Sequence, residues 1–229
     1  MFRPLALLLC VVALALAACG GGDDGGGSDK PGSSPKVDLK VSGGCTKVKQ
    51  PAPKPDGGAK KPSEPLDPAA IYDVVLKTSC GDITIRLDQK ASPNTAASFA
   101  GLAKSGFLDG TVFHRIVPGF VIQGGDPTAT GTGGPGYSTR DVPPQGTVYT
   151  KGTVAMAKTQ TEPPGTAGSQ FYIVTAPDVG LPPEYAVLGR VVEGQDVVDA
   201  IGKLGDPASG DAGTPLQPVV IQRATVRSR

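Results

Sequence analysis

The chain has 229 residues, with 22 basic and 21 acidic side chains and a formal net charge of +1 at pH 7. A near-neutral chain without a basic stripe argues against nucleic acid as a partner. Its 33 glycines and 23 prolines are concentrated enough to indicate that part of the sequence stays outside any folded core.

Residues 1–18 are typical of an export signal. Arg3 precedes an apolar run at residues 5–18, which is shorter than the roughly 20 residues that a membrane-spanning helix needs. The run ends in Leu-Ala-Ala-Cys at 16–19, a pattern that looks like a bacterial lipobox. We therefore expect cleavage before Cys19, lipidation of Cys19, and an extracytoplasmic protein anchored to the cell membrane. The alternative is an ordinary signal peptide with an incidental cysteine.

Residues 19–69 are rich in Gly, Ser, Pro, Lys and Asp, a composition that buries too little apolar surface to order itself. We expect a disordered tether there and one folded domain over residues 70–229. Cys45 and Cys80 form an even pair in an exported chain, which favours a disulfide over two free thiols. Two cysteines and one distant histidine do not match a zinc site, and no metal is expected.

Hydrophobic periodicity predicts eight strands, over 72–78, 82–88, 111–116, 119–123, 152–157, 170–175, 186–192 and 217–226. A first helix is predicted from Ser92 as N-cap and Pro93 in the first turn to Gly106, and a second over 194–203. A stretch rich in Gly, Thr and Pro at 127–144 is predicted to be a long surface loop. Many short strands with two helices favour a closed antiparallel barrel with helices over its ends.

The most informative stretch is Phe-His-Arg-Ile-Val-Pro-Gly-Phe-Val-Ile-Gln-Gly-Gly-Asp at residues 113–126. It has the apolar character of a buried strand pair, yet it contains the only histidine, His114, together with Arg115 and Gln123. Buried polar groups are unfavourable unless they are paired or used. These three side chains therefore either satisfy one another or line a site.

This stretch resembles the signature of the cyclophilins, the peptidyl-prolyl cis-trans isomerases. Three further blocks follow in the family's order, with Gly-Thr-Val-Ala-Met-Ala at 152–157, Gly-Ser-Gln-Phe-Tyr-Ile at 168–173, and Tyr-Ala-Val-Leu-Gly-Arg-Val-Val-Glu-Gly at 185–194. The resemblance covers about residues 71–226. It implies a mainly β fold, a closed eight-stranded antiparallel β-barrel capped by two α-helices, and a rotamase acting on proline-containing unfolded or newly exported polypeptides.

The resemblance makes Arg115 the catalytic residue. Rotation about an X–Pro bond breaks amide resonance, against a barrier of about 18–20 kcal/mol, and returns the lone pair to the prolyl nitrogen. A donor aimed at that nitrogen stabilises the twisted transition state more than either planar ground state. A guanidinium stays charged, so it donates a hydrogen bond and does not act as a general acid. This chemistry needs no cofactor. A barrel-rim arginine held in a salt bridge is the alternative.

The other expected site residues bind the peptide. By their match to the family's motifs they form an apolar proline pocket, a polar groove, a strand edge whose backbone pairs with the peptide, and a groove border. The pocket residues are Phe120, Val121, Tyr172 and Leu181, and the polar groove residues are Gln123 and Gln170. The strand edge consists of Ala157 and Lys158, and the groove border consists of His114 and Tyr185.

Two positions depart from the common family sequence. Lys158 stands where an asparagine is usual, and we expect its charge at the groove edge to change the preference for the residue before proline. Tyr185 replaces a histidine of many relatives and keeps a flat ring with a polar tip. The chain has no tryptophan, which argues against strong binding of cyclosporin-type inhibitors.

Two other functions remain open. A non-catalytic module or chaperone at the cell envelope would bind proline-containing peptides without accelerating isomerisation, and a structural envelope protein would use the barrel only as a scaffold. Both Arg115 and Phe120 are retained, which favours an enzyme. Nothing in the sequence indicates more than a monomer.

Overall fold

A computed structural model describes residues 44–229; the signal segment, Cys19 and the part of the expected tether before Gly44 lie outside the described residues. The elements in chain order are β1 (Tyr72–Thr78), β2 (Gly81–Leu87), α1 (Pro93–Lys104), β3 (Arg115–Val117), β4 (Val121–Gly124), β5 (Thr139–Arg140), β6 (Thr153–Met156), β7 (Thr166–Ala167), β8 (Phe171–Val174), β9 (Val187–Glu193), α2 (Gln195–Gly202), a 3₁₀-helix (Pro207–Ala212) and β10 (Ile221–Ser228). Within this range, no helix combines the length and apolarity that crossing a membrane requires.

Eight strands form one antiparallel sheet in the order β10-β1-β2-β9-β6-β8-β4-β3. The sheet curls into a half-barrel, so the closed barrel expected from the sequence is wrong. The edge strand β3 has only three residues, and its Ile116 amide donates to the Gly213 carbonyl at 2.7 Å, so this edge is occupied by the segment after the 3₁₀-helix. Among the described residues, single bridges such as Val112 with Val220, and no ladder, span the gap between β3 and β10.

The first helix begins differently from the prediction. Ser92 precedes Pro93 as expected, but its side chain makes no capping hydrogen bond. Asp141 supplies the cap instead, because its Oδ2 accepts from the Thr95 amide at 2.7 Å and its Oδ1 from Asn94 at 2.9 Å. A residue of the predicted 127–144 loop thus holds the start of α1.

The sheet separates two apolar clusters, since successive strand residues point to opposite faces. Ile122 and Ile173 face the main core, where α1 contributes Phe99. Their neighbours Val121 and Tyr172 face a smaller cluster on the other side. The smaller cluster is the wall against which the candidate site is built.

Residues 44–66, called the strap below, lie along the domain. The sequence prediction for 19–69 was a disordered tether, and the described part of it departs from that prediction. Cys45 and Cys80 are joined by a disulfide, and the amides of Gly57 and Ala59 donate to the carbonyls of residues 134 and 135 at 2.9 and 3.1 Å. Composition predicted too little apolar burial, but the strap is held by backbone hydrogen bonds and a crosslink instead.

Lys54 anchors the middle of the strap. Its ammonium donates to the carbonyls of Phe107 and Asp109, the latter at 2.9 Å, and lies 5.4 Å from the centre of the Phe107 ring. Burial lowers the pKa of Lys54, although the Asp109 carboxylate acts in the opposite direction. The loop after α1 therefore receives a partly buried cation from the strap.

Candidate active site

Four residues occupy one row across neighbouring strands of the half-barrel. The register places Arg115 of β3 opposite Gln123 of β4, Gln123 opposite Tyr172 of β8, and Tyr172 opposite Ala155 of β6. Directly opposed residues of antiparallel strands point to the same face. A guanidinium, an amide, an aromatic ring and a small residue therefore share one surface.

A cavity of about 330 Å³ opens on this surface. Nine of the eleven expected catalytic and substrate-binding residues line it, and Asp211 is an addition that the sequence did not reveal. The lining consists of Arg115, Phe120, Val121, Gln123, Ala157, Lys158, Tyr172, Leu181, Tyr185 and Asp211. The aromatic and aliphatic walls, with one guanidinium at the side, fit a prolyl ring and its flanking amides.

Arg115 is held by two neutral acceptors. Its Nε donates to the Asp211 carbonyl at 2.9 Å and its Nη1 to Gln123 Oε1 at 3.3 Å, while its guanidinium carbon lies 5.8 Å from the centre of the Phe120 ring. No carboxylate of residues 44–229 forms an ion pair with it. The guanidinium is thus not neutralised by a carboxylate of these residues and has donors left for a ligand in the cavity.

Gln170 lies in a second cavity next to the first and positions Gln123. Gln123 Nε2 donates to Gln170 Oε1 at 3.0 Å, and Gln170 Nε2 donates to the Gly133 carbonyl at 2.9 Å. This chain fixes the orientation of the Gln123 amide, so that its oxygen faces Arg115. The arrangement runs from the backbone of the 127–144 loop to the guanidinium.

Three tyrosines pack together at the cavity, and two of them, Tyr172 and Tyr185, belong to its lining. Tyr172 and Tyr185 have ring centres 5.7 Å apart, and Tyr149 lies 6.0 Å from Tyr185. The Tyr149 hydroxyl donates to the Tyr185 carbonyl at 2.7 Å and accepts from the Tyr185 amide at 3.0 Å. Burial raises the pKa of Tyr172, with the two neighbouring phenols adding to the effect, so its hydroxyl is neutral. Tyr149, fully buried, fixes the backbone of Tyr185.

Lys158 differs from its expected placement. Its side chain is only 2% exposed, and its Nζ pairs with Glu184 at 3.1 Å and lies 5.3 Å from the centre of the Tyr185 ring. The same ammonium also donates to the carbonyls of Thr159 and Glu162 at 3.3 Å. Because Glu184 compensates its charge, Lys158 joins two loops across the groove and does not present an unpaired cation to the peptide.

At the groove edge, one of the backbone groups expected to pair with the peptide is already used within the protein. The Ala157 amide donates to the Gln170 carbonyl at 2.9 Å. An extended peptide that pairs here would therefore use the carbonyl of Ala157 or the amide of Lys158.

His114 lines neither of these two cavities. It is half-buried, and both ring nitrogens are shielded from solvent. Burial lowers the pKa of His114, and the nearby Asp126 carboxylate offsets this only in part. His114 is therefore mainly neutral at pH 7. Clusters of three or more His, Cys, Asp or Glu side chains able to hold a metal are absent from the described range.

A family model decides the relationship of the chain to known proteins. The model described as "Cyclophilin type peptidyl-prolyl cis-trans isomerase/CLD" matches residues 73–226. The chain belongs to this family. The enzyme class expected from the sequence, a cyclophilin-type rotamase, is confirmed by the match and by the names of several relatives.

Curated relatives cover the same domain. Peptidyl-prolyl cis-trans isomerase A of Mycobacterium tuberculosis is 40% identical over 177 residues, which are 69% of this chain and 94% of that protein. Probable peptidyl-prolyl cis-trans isomerase B of Mycobacterium leprae is 36% identical over 211 residues, 85% of this chain and 68% of that protein. A crystal structure of a Cryptosporidium parvum cyclophilin, solved in the presence of the dipeptide Ala-Pro, has a TM-score of 0.61 and 29% identity, covering 69% of this chain and 99% of that one.

The cyclophilin motifs could not reveal Asp211, Tyr149 or Glu184. Asp211 acts through its backbone carbonyl in a 3₁₀-helix, and a carbonyl leaves no mark on the residue type. Tyr149 lies in a segment with no motif, and the sequence does not show that its hydroxyl is buried and therefore needs a partner. Glu184 directly precedes Tyr185, and its pairing with Lys158 could have been suspected only from the unusual lysine.

Proposed function

We propose that the chain accelerates rotation about X–Pro bonds in exported polypeptides and so assists their folding, with Arg115 as the catalytic residue. The observation that carries the proposal is the guanidinium on the wall of a cavity with aromatic and aliphatic side chains, oriented by two neutral acceptors. Preorganised donors contribute most to catalysis because they need no reorientation when the transition state forms.

The reaction requires only binding and one hydrogen bond. The prolyl ring enters the apolar cavity against Phe120 and Tyr172, while the flanking chain lies over Ala157. As the bond twists, the prolyl nitrogen becomes pyramidal and accepts a hydrogen bond from the guanidinium of Arg115. Gln123 keeps the guanidinium in place. No proton is transferred, and no bond is made or broken.

Exchange spectroscopy on a proline-containing tetrapeptide, together with a protease-coupled assay, tests the catalytic assignment. Arg115→Ala is expected to lower kcat/KM by at least about a hundredfold, as loss of one preorganised donor does elsewhere, while peptide binding persists. Arg115→Lys should recover little, because a lysine cannot match the fork that reaches Asp211 and Gln123 together. An Arg115→Ala protein as active as wild type would overturn the assignment. Binding without acceleration in the wild type would favour a peptide-binding module.

We also propose export and lipid anchoring at Cys19. The proposal is supported by the signal-like residues 1–18, by the Leu-Ala-Ala-Cys pattern, and by the Cys45–Cys80 disulfide, since disulfides persist mainly outside the cytoplasm. Intact-mass analysis of membrane-extracted protein should give a chain that starts at Cys19 and carries added acyl mass. A Cys19→Ala variant should carry no acyl mass. An unmodified, soluble mature chain would refute lipidation and leave the isomerase assignment untouched.

A further inference from the structure

The second cavity, of about 380 Å³, adjoins the proline cavity and shares a wall with it. Gln123, Ala157 and Lys158 line both. An extended peptide advances about 3.3 Å per residue, so a side chain close to the proline reaches the second cavity while the ring occupies the first. The second cavity is therefore part of the surface that a substrate meets.

The strap supplies one wall of this second cavity. Asp56 lines it and is held by a reciprocal pair of contacts, because its Oδ1 accepts from the Gly134 amide at 2.8 Å and the Gly57 amide donates to the Gly134 carbonyl at 2.9 Å. Lys54, two residues earlier, is anchored in the carbonyls after α1. Asp56 is thus fixed in position although its side chain is exposed. It also lies outside residues 73–226, so it is an addition to the family domain.

The charges around the second cavity leave it acidic. Glu162 lines it as well, with Oε2 accepting from the amide and hydroxyl of Thr159 at 2.6 and 2.9 Å. Lys158 is compensated by Glu184, as described above. Lys61 of the strap donates to the Ser138 carbonyl at the rim at 3.0 Å and forms no ion pair with either carboxylate within the described range. The charged side chains of the lining, Asp56, Glu162 and Lys158, leave a net negative charge, and one carboxylate oxygen of Asp56 has no hydrogen bond among the described residues.

We propose that Asp56 makes the second cavity select a cationic side chain, Lys or Arg, on a residue that flanks the proline of the bound peptide. The proposal rests on the isomerase function set out above and adds a substrate preference to it. Asp56 is a specificity residue and takes no part in the chemical step, because it lies beyond the cavity that holds Arg115.

The test uses peptides that carry Lys, norleucine or Glu at each position within three residues of one proline. For the wild-type protein, kcat/KM is expected to be about fivefold higher for Lys than for norleucine at one of these positions, which is the effect of an ion pair at about 4 Å in water. Raising the ionic strength to about 1 M should remove most of this preference, because the Debye length falls to about 3 Å.

Asp56→Asn is the decisive variant, since the amide oxygen still accepts from Gly134 and only the charge is lost. It should reduce the ratio of kcat/KM for the Lys peptide to that for the norleucine peptide to within about twofold. Glu64→Gln is the matched control, because Glu64 is on the same strap and lines a different cavity, beside α1. It should keep the full preference.

An Asp56→Asn protein with the wild-type Lys preference would overturn the proposal, as would a wild-type protein with no preference at any position. Dissociation constants of the same peptides, measured by NMR titration, decide the point even for a protein that binds without isomerising. Failure of isomerase activity on every peptide, with the binding preference intact, would refute the proposed function and not the role of Asp56.

Discussion

The Asp211 carbonyl accepts a hydrogen bond from Arg115 Nε at 2.9 Å, so the backbone of the 3₁₀-helix orients the Arg115 guanidinium. Two residues further on, Gly213 packs against Arg115 and Val117. A Cβ on Gly213 would lie 2.8 Å from Arg115 Cγ and 2.8 Å from Val117 Cγ2. The packing of the 3₁₀-helix against the edge of β3 and the Arg115 side chain therefore requires a residue without a side chain at position 213.

Gly213→Ala is accordingly expected to displace Arg115 and lower kcat/KM by about tenfold to a hundredfold, since small misplacements of a catalytic group have effects of that size. The buried clash and the positive φ of +63° should also lower the free energy of unfolding by about 1–3 kcal/mol. Gly146→Ala is the control, because Gly146 has a φ of +85° and no atom within 4 Å of the added Cβ. Equal activity losses in both variants would contradict the steric argument.

Tyr149→Phe tests how the groove wall is positioned. The change keeps the ring and removes both hydrogen bonds to the backbone of Tyr185. Loss of these buried contacts should lower the free energy of unfolding by about 1–3 kcal/mol. KM should rise, with kcat little changed, because Arg115 is untouched and only the wall at Tyr185 loosens. Tyr72→Phe, which removes a single long contact with the Asp67 amide at 3.3 Å, should change neither KM nor stability appreciably. A lowered kcat with normal KM would contradict a purely positioning role.

The single histidine gives stability a defined pH dependence. Burial lowers the pKa of His114 below its ordinary value of 6.5, so the unfolded chain takes up a proton at a higher pH than the folded one. The free energy of unfolding should then fall as pH drops below about 6.5, by at most about 1.4 kcal/mol per pH unit, until the folded protein is also protonated. Chemical denaturation from pH 7.5 to 4.5 measures the slope.

His114→Gln should flatten this slope, because no other histidine is present in the chain. Carboxylates contribute at lower pH. Burial acts to raise the pKa of Asp126, but hydrogen bonds from Thr128, Gly131 and Gly133 hold this pKa below 3.8. Its contribution is therefore present above about pH 4 and lost only in stronger acid. A slope between pH 6.5 and 4.5 that survives in His114→Gln would assign it to other groups.

Sequence patterns predicted most of the candidate site because the site is a row of side chains in four neighbouring strands. Arg115, Gln123 and Tyr172 lie opposite one another by register, and the motif spacing already carries that register. The prediction of a closed barrel was wrong because the backbone of Gly213, and not another strand, pairs with the edge of β3. The order of the strap was not predicted because the sequence argument considered only how much apolar surface the strap could bury. The strap is attached through Lys54 and backbone amides instead.

Lys54→Met tests that attachment. The methionine keeps the apolar stem and removes the ammonium, which leaves the carbonyls of Phe107 and Asp109 without their donor. The strap should open more often, and hydrogen exchange at the Gly57 and Ala59 amides is expected to speed up by about tenfold or more, the effect of losing about 1.4 kcal/mol of local stability. The Lys preference described for Asp56 should weaken in parallel. Lys77→Met, at an exposed position of β1, is the charge-matched control and should leave both amides protected. Unchanged exchange in Lys54→Met would mean that the disulfide and the backbone hydrogen bonds hold the strap without Lys54.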